Sequence, residues 1–224
     1  MWDHGEAQYR GTTVRFTWSQ GRVPVFLAPG GPRGLHLAGR LADGVVIETG
    51  FLPEVIADSL ARVEAGAKEV GRSLDDIEIW WHARSAFGES KEEATYRLRS
   101  GLAGIANRFL RFGAEGKMVP DELLPRFDEL KARYSIISHH EEHGGAMRNA
   151  ELLEELGLLD YVAERFGLLG TPRDWIEKLE RLRPYGMENV AFAGLMPDKA
   201  AFVKTVAEEV MPVLGDGAGA TRGA

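Results

Sequence analysis

Four short stretches carry residue types and spacings that can do chemistry. Ala28-Pro29-Gly30-Gly31-Pro32-Arg33 lies between an apolar run of strand length and a helical pattern. Two glycines let a backbone approach a ligand closely, and free N–H groups at a helix start attract an anion such as phosphate. The same Gly-Gly-Pro also reads as a plain tight turn, and it matches neither a Walker nor a dinucleotide fingerprint. Glu48, Thr49 and Gly50 close a second apolar run. A carboxylate there is costly unless wet or paired, so Glu48 faces a cavity or joins an Arg at the rim. His82, Ala83, Arg84 and Ser85 close a third run, where alternation puts Trp80, His82 and Arg84 on one face. An Arg and a His at a strand end suit an anionic substrate or proton transfer. If that face turns towards helices instead, His82 is a core histidine. The fourth stretch, Ser138-His139-His140-Glu141-Glu142-His143, places His139 and His143 four apart. It lacks the order of a His-Glu-x-x-His motif and a third ligand, so it reads as a polar loop and no metal is assigned. A metal-dependent hydrolase built on it is the weakest rival reading.

The elements that position these residues alternate along the chain. Thr13 to Trp18 alternates like a hairpin strand. Val23 to Ala28 predicts a strand, and Leu35, Ala38, Gly39 and Leu41 mark the face of a helix. Val45 to Thr49, continuous and rich in β-branched residues, predicts a strand buried on both sides. Pro53 to Val70 is an amphipathic helix, Ile77 to Ala83 a strand, and Ser90 opens another helix. Residues 109 to 165 break the rhythm as mostly helical or irregular sequence. Thr171 and Pro172 suit the cap and first position of a helix that carries Trp175, Ile176, Leu179 and Leu182. Asn189 to Ala193 reads as a fourth strand, and a last helix runs from about Pro197 to Val210.

Four strands alternating with helices point to a parallel sheet with helices outside, either doubly wound or part of a (β/α)8 barrel. Such sheets bind ligands at the carboxyl ends of their strands, where the first three stretches fall. The expected organisation is a single α/β domain over residues 1–214, with a helical insertion at about 109–165 and a flexible tail at 215–224. In the full sequence of 224 residues, 27 Lys and Arg stand against 34 Asp and Glu, a formal charge of −7. An acidic chain without a basic cluster argues against a nucleic-acid binder. No apolar run has membrane-spanning length. The absence of cysteine excludes disulfides and thiol catalysis. The composition is that of a cytoplasmic protein.

The run Val23 to Pro32, continued by Leu37-Ala38-Gly39 and Ala42-Asp43-Gly44-Val45-Val46, resembles the second half of the luciferase-like oxidoreductases. These are flavin-dependent monooxygenases and enzymes using the deazaflavin coenzyme F-420, methylenetetrahydromethanopterin reductase among them. Gly170-Thr171-Pro172-Arg173-Asp174 resembles the family's closing Gly-Thr-Pro-Glu helix start. Tyr134 with His139 to Gly144 resembles a segment of the deazaflavin branch. The resemblance covers about residues 9 to 213 and implies a (β/α)8 barrel of which this chain is the C-terminal half. It implies that Ala28, Pro29, Gly30 and Gly31 touch the cofactor, with the amides of Gly30 and Gly31 on its phosphate. Ile47, Glu48 and Thr49 would lie beside cofactor or substrate. Pro29 stands where the family commonly has Ala.

The activity implied is hydride transfer between F-420 or FMN and a small organic substrate, with F-420 preferred. Glu48, His82, Arg84, His139 and His143 are the candidate catalytic groups. The alternative is a catalytically silent or partner-dependent half-barrel that keeps only the cofactor-phosphate site. Either way, the open side of a half-barrel calls for a homodimer or a partner chain.

Overall fold

The computed structural model describes residues 6–15, 23–136, 145–193 and 198–215. The chain begins with an antiparallel hairpin of β1 (Glu6–Tyr9) and β2 (Thr12–Arg15). Its two-residue turn, Arg10-Gly11, has φ of 48° and 78°, the left-handed pair that matches the twist of a tight hairpin. The expected strand at Thr13 to Trp18 thus starts one residue earlier, and its second half lies outside the described residues.

The main sheet is parallel. Strand β3 (Phe26–Leu27) pairs with β4 (Gly44–Ile47), and β4 with β5 (Glu78–Phe87). Trp81 in β5 pairs with Ile47 on one edge and with Val190 of β7 (Val190–Ala193) on the other. A fifth strand, β6 (Gly167–Gly170), pairs with Arg84 to Phe87 along the edge that β4 leaves. The apolar run predicts β5 only as far as Ala83 and no strand at 167–170, whereas β5 runs on to Phe87 and pairs there with β6. Two leucines between two glycines carry no strand period of their own, and it is the unpaired end of β5 that recruits them.

Each crossover is helical: α1 (Pro32–Leu41), α2 (Pro53–Lys68), α3 (Lys91–Phe109) and α7 (Pro172–Leu182). Three shorter helices, α4 (Leu124–Arg133), α5 (Gly145–Glu155) and α6 (Leu159–Phe166), separate α3 from β6. The last helix begins as α8 (Lys199–Thr205), passes through a π turn at Val206–Val210 and ends as α9 (Met211–Leu214). Ser90 caps α3 by accepting from the Glu93 amide. Thr171 and Asp174 form a full capping box at the start of α7.

Two apolar clusters hold these elements together. Val45, Ile47, Trp81 and Ala83 turn one face of the sheet towards α1, α2 and α7, where Leu35, Ile56, Val63 and Trp175 meet them. Leu102, Phe109, Phe127, Leu153 and Phe166 join α3 to α4–α6 in the second. Alternation turns Val46, Glu48, Trp80, His82 and Arg84 to the opposite, inner face, where all five remain partly exposed. The strand expected to be buried on both sides is therefore buried on one, because no layer of described residues covers the inner face. On that face Phe26 lies over Gly44, in the space a Cβ would fill. No described helix is long and apolar enough to cross a membrane.

Candidate active site

The carboxyl ends of β3 and β4 open into a cleft of about 840 Å³, whose lining includes Ala28, Gly30, Gly31, Glu48, Arg108 and Lys117. Its floor on one side is the start of α1. Gly31 is the N-cap residue in extended conformation, Pro32 takes the first helical position, and no side chain caps the helix. The first-turn amides are thus left for an incoming acceptor, and the helix dipole favours a negative one. A Cβ on Gly30 would meet nothing within 4 Å, whereas one on Gly31 would come 3.2 Å from Cε of Lys117. Pro29 is buried, while Ala28 and Gly30 are exposed.

Lys117 reaches this point because its loop is fastened from behind. Arg165, fully buried in α6, donates from Nη2 to the Lys117 carbonyl (2.6 Å) and from Nη1 to the Met118 carbonyl (3.0 Å) and the Tyr161 hydroxyl (2.6 Å). Its Nε donates to the Thr49 carbonyl at 2.9 Å, and its own carbonyl accepts from the Phe51 amide. The guanidinium also lies 4.4 Å from the centre of the Phe109 ring. It is a buried cation solvated by carbonyls and a ring face, and burial pushes its pKa down. The Lys117 ammonium donates to the Phe109 carbonyl. Burial first, and then the Arg165 charge, lower its pKa.

Glu48 forms the opposite wall. One carboxylate oxygen is 2.8 Å from His82 Nδ1, and the other accepts from Arg108 Nη2 at 2.8 Å. Burial pushes this carboxyl up, but the His82 hydrogen bond and the Arg108 charge outweigh it and hold the pKa below its ordinary value. Both readings of Glu48 therefore apply: it faces a cavity and pairs with an arginine at the rim. With Trp81 and Ala83 against the helices, His82 and Arg84 belong to the inner face and not to the helix-packed core. Arg84 is partly exposed, but its Nε is buried with no hydrogen-bond partner.

Ile47 is fully buried in the core under the sheet. Thr49 is also buried, its hydroxyl 2.8 Å from that of Ser59. Of the three residues expected at the end of β4, only Glu48 lines the cleft. His139 and His143 lie outside the described residues, as does most of the expected tail. Arg108, Lys117 and Arg165 were not anticipated. Arg165 had left a trace, since it stands three residues after Val162 on the apolar stripe of α6.

The model for the luciferase-like monooxygenase family matches residues 1–189. This chain belongs to that family. Among its luciferase-like relatives, the 5,10-methylenetetrahydromethanopterin reductase of Methanopyrus kandleri is 28 % identical over 194 residues, covering 85 % of this chain and 50 % of the relative. The corresponding reductase of Methanolobus tindarius is 26 % identical, over 88 % and 56 %. An F-420-dependent glucose-6-phosphate dehydrogenase from Nakamurella multipartita is 23 % identical, over 86 % and 48 %. The chain thus spans about half the length of the curated relatives it matches. The solved structure of the F-420-dependent tetrahydromethanopterin reductase from Methanopyrus kandleri superposes with a TM-score of 0.62 at 22 % identity, over 95 % of this chain and 59 % of that one. An F-420-dependent secondary alcohol dehydrogenase gives 0.60 at 18 %, over 94 % and 56 %. The luciferase-like (β/α)8 barrel is accordingly the fold of which this sheet forms part.

Proposed function

We propose that this chain is the coenzyme-binding half of an F-420-dependent oxidoreductase acting on a small organic substrate. The observation that carries the reading is the uncapped start of α1, with Gly31 facing the end of the Lys117 side chain in the lining of the cleft. A phosphate fits there: Gly30 and Gly31 have no Cβ to exclude it, the helix start offers donors, and Lys117 adds a positive charge. The cleft lies in the usual range for a cofactor site. When bound, a deazaflavin or flavin supplies the two-electron centre that gives or takes a hydride. The chain's own residues bind and orient. Gly30 and Gly31 hold the phosphate, Arg165 fixes the height of Lys117, and His82 and Arg108 keep Glu48 ionised on the facing wall. The F-420-dependent enzymes among its relatives favour F-420 over FMN.

Titration of the purified chain with F-420 and, separately, FMN, followed by fluorescence, tests this. We expect binding at about micromolar Kd, abolished by Gly31→Asp, which puts a side chain and a negative charge in the phosphate position. Binding of neither cofactor, or equal binding by the variant, overturns the proposal.

A second reading is favoured by the uncovered apolar residues at the β3 edge, Val23, Val25 and Phe26, each more than two fifths exposed. In it the half-barrel keeps its phosphate site but needs a second copy or a partner chain over its inner face before any turnover. Cofactor binding without reductase activity, together with a monomeric sedimentation coefficient, is the result that selects it.

A further inference from the structure

The proposed phosphate cradle leaves the inner end of β5 unexplained. Arg84 and Arg108 both act on the one carboxylate of Glu48, and Arg108 takes the direct ion pair. His82 occupies the other carboxylate oxygen. Among the described residues the Arg84 Nε–H has no acceptor: it is enclosed and unpartnered, an arrangement proteins rarely keep without a use. Arg62, half-buried, and Arg165, fully buried, show what a structural arginine looks like here. Arg62 is paired with Asp58, and Arg165 is surrounded by carbonyls.

The register partner of Arg84 in β6 is Gly167, whose Cβ position is filled by the Ala163 carbonyl and the Leu169 side chain, so the approach to Arg84 is from the Arg108 side. Arg108 is half-exposed and lines the cleft. Two guanidinium groups, those of Arg84 and Arg108, thus face the single carboxylate of Glu48. Burial and the Arg108 charge both press on the Arg84 guanidinium, lowering its pKa, and Glu48 only partly relieves it.

We infer that Arg84 and Arg108 form a subsite for an oxyanion on the substrate, a carboxylate or a phosphate ester, on the Glu48 side of the cleft. An oxyanion entering from the Arg108 side gives the Arg84 Nε–H its missing acceptor, and Arg108 holds it from the rim. The inference rests on the oxidoreductase reading only in calling the bound molecule a substrate. The subsite itself is decided separately.

The test follows the arginine Nε–H signals of the full chain by NMR during titration with inorganic phosphate and with succinate. Both titrations are run in the Gly31→Asp background, so that the α1 cradle cannot be the source. We expect a saturable shift of the Arg84 signal at about millimolar probe, and about tenfold weaker binding in Arg84→Gln. That variant should leave F-420 affinity of the otherwise wild-type chain unchanged. Tighter phosphate binding assigns a phosphate ester, and tighter succinate binding a carboxylate. If Arg84→Gln melts early, Arg84→Lys keeps the charge, loses the two-point contact and should weaken binding to a lesser degree. No Arg84 shift with either probe, or equal affinity in both variants, overturns the subsite. Failure of F-420 to bind the wild-type chain sinks the oxidoreductase reading and leaves the anion result standing.

Discussion

Arg165 Nε donates to the carbonyl of Thr49 across 116 positions of sequence, at 2.9 Å, tying the end of β4 to the last turn of α6. The same guanidinium carries the loop of Lys117 and Met118. Arg165→Met therefore leaves the buried Thr49 carbonyl and the carbonyls of Lys117 and Met118 without their donor. It should cost about 3 kcal/mol in urea unfolding. Cofactor affinity should also fall, because Lys117 loses the support that aims it at Gly31.

Helices α1 and α2 cross where two glycines face backbone. A Cβ on Gly66 would run into the His36 carbonyl, and one on Gly39 into the Val63 carbonyl. Neither neighbour is a movable side-chain tip, so the helices themselves must part. Gly66→Ala should cost about 3 kcal/mol, towards the upper end of overpacking penalties, measured by chemical denaturation. Gly71→Ala, in open space but at φ 73°, should cost less, through backbone strain alone.

Three cations share the Glu164 carboxylate: Lys91, Lys178 and Arg181. Lys178 is the most enclosed of them, and burial, opposed by Glu164 but reinforced by Lys91, brings its pKa down to about 8 from 10.5. Between those two values the unfolded chain holds a proton that the folded chain has released. The contribution of Lys178 to stability therefore rises with pH across this window. The stability difference between wild type and Lys178→Met, from urea midpoints at pH 7, 8, 9 and 10, should shift progressively in favour of wild type. A flat difference would show that the ammonium stays charged.

Glu48 behaves in the opposite sense. Its folded pKa lies below the ordinary 4.5, so its ionised form stabilises the fold fully above that value, and the benefit fades as pH falls through the lower folded value. Glu48→Gln should be less stable than wild type at pH 6, and the gap should close in acid. The variant also replaces the charged acceptor that orients His82 by a neutral amide able to accept or donate, so the imidazole tautomer seen by nitrogen chemical shifts should become mixed.

The alternating plan of the sheet was legible because each main strand carries its own apolar run and each helix its own stripe and cap. Thr171, Pro172 and Ser90 mark their helix starts as anticipated. What stayed hidden depends on partners distant in sequence. Strand β6 exists because the end of β5 needs an edge, and Leu168-Leu169 between glycines announces nothing alone. In the cleft, Glu48 could be singled out as a costly carboxylate, but not its clamps, which come from α3 and β5. Lys117 carries no motif; its place is set by Arg165 in another helix. Ile47 and Thr49 flank Glu48 and so point the other way, an alternation that sequence alone already contained.

Strand β5 is bonded along both edges by segments made at very different times. Its β4 edge is available as soon as it emerges from the ribosome. Its other edge waits for β7, and the Trp81 indole waits for the Gly186 carbonyl, 105 positions later. At bacterial synthesis rates that interval is about 5–20 s. Throughout it a nascent chain presents a bare parallel edge carrying two adjacent tryptophans. Synthesis of this protein should therefore lean on holding chaperones, and slow codons placed between residues 90 and 185 should lower its soluble yield.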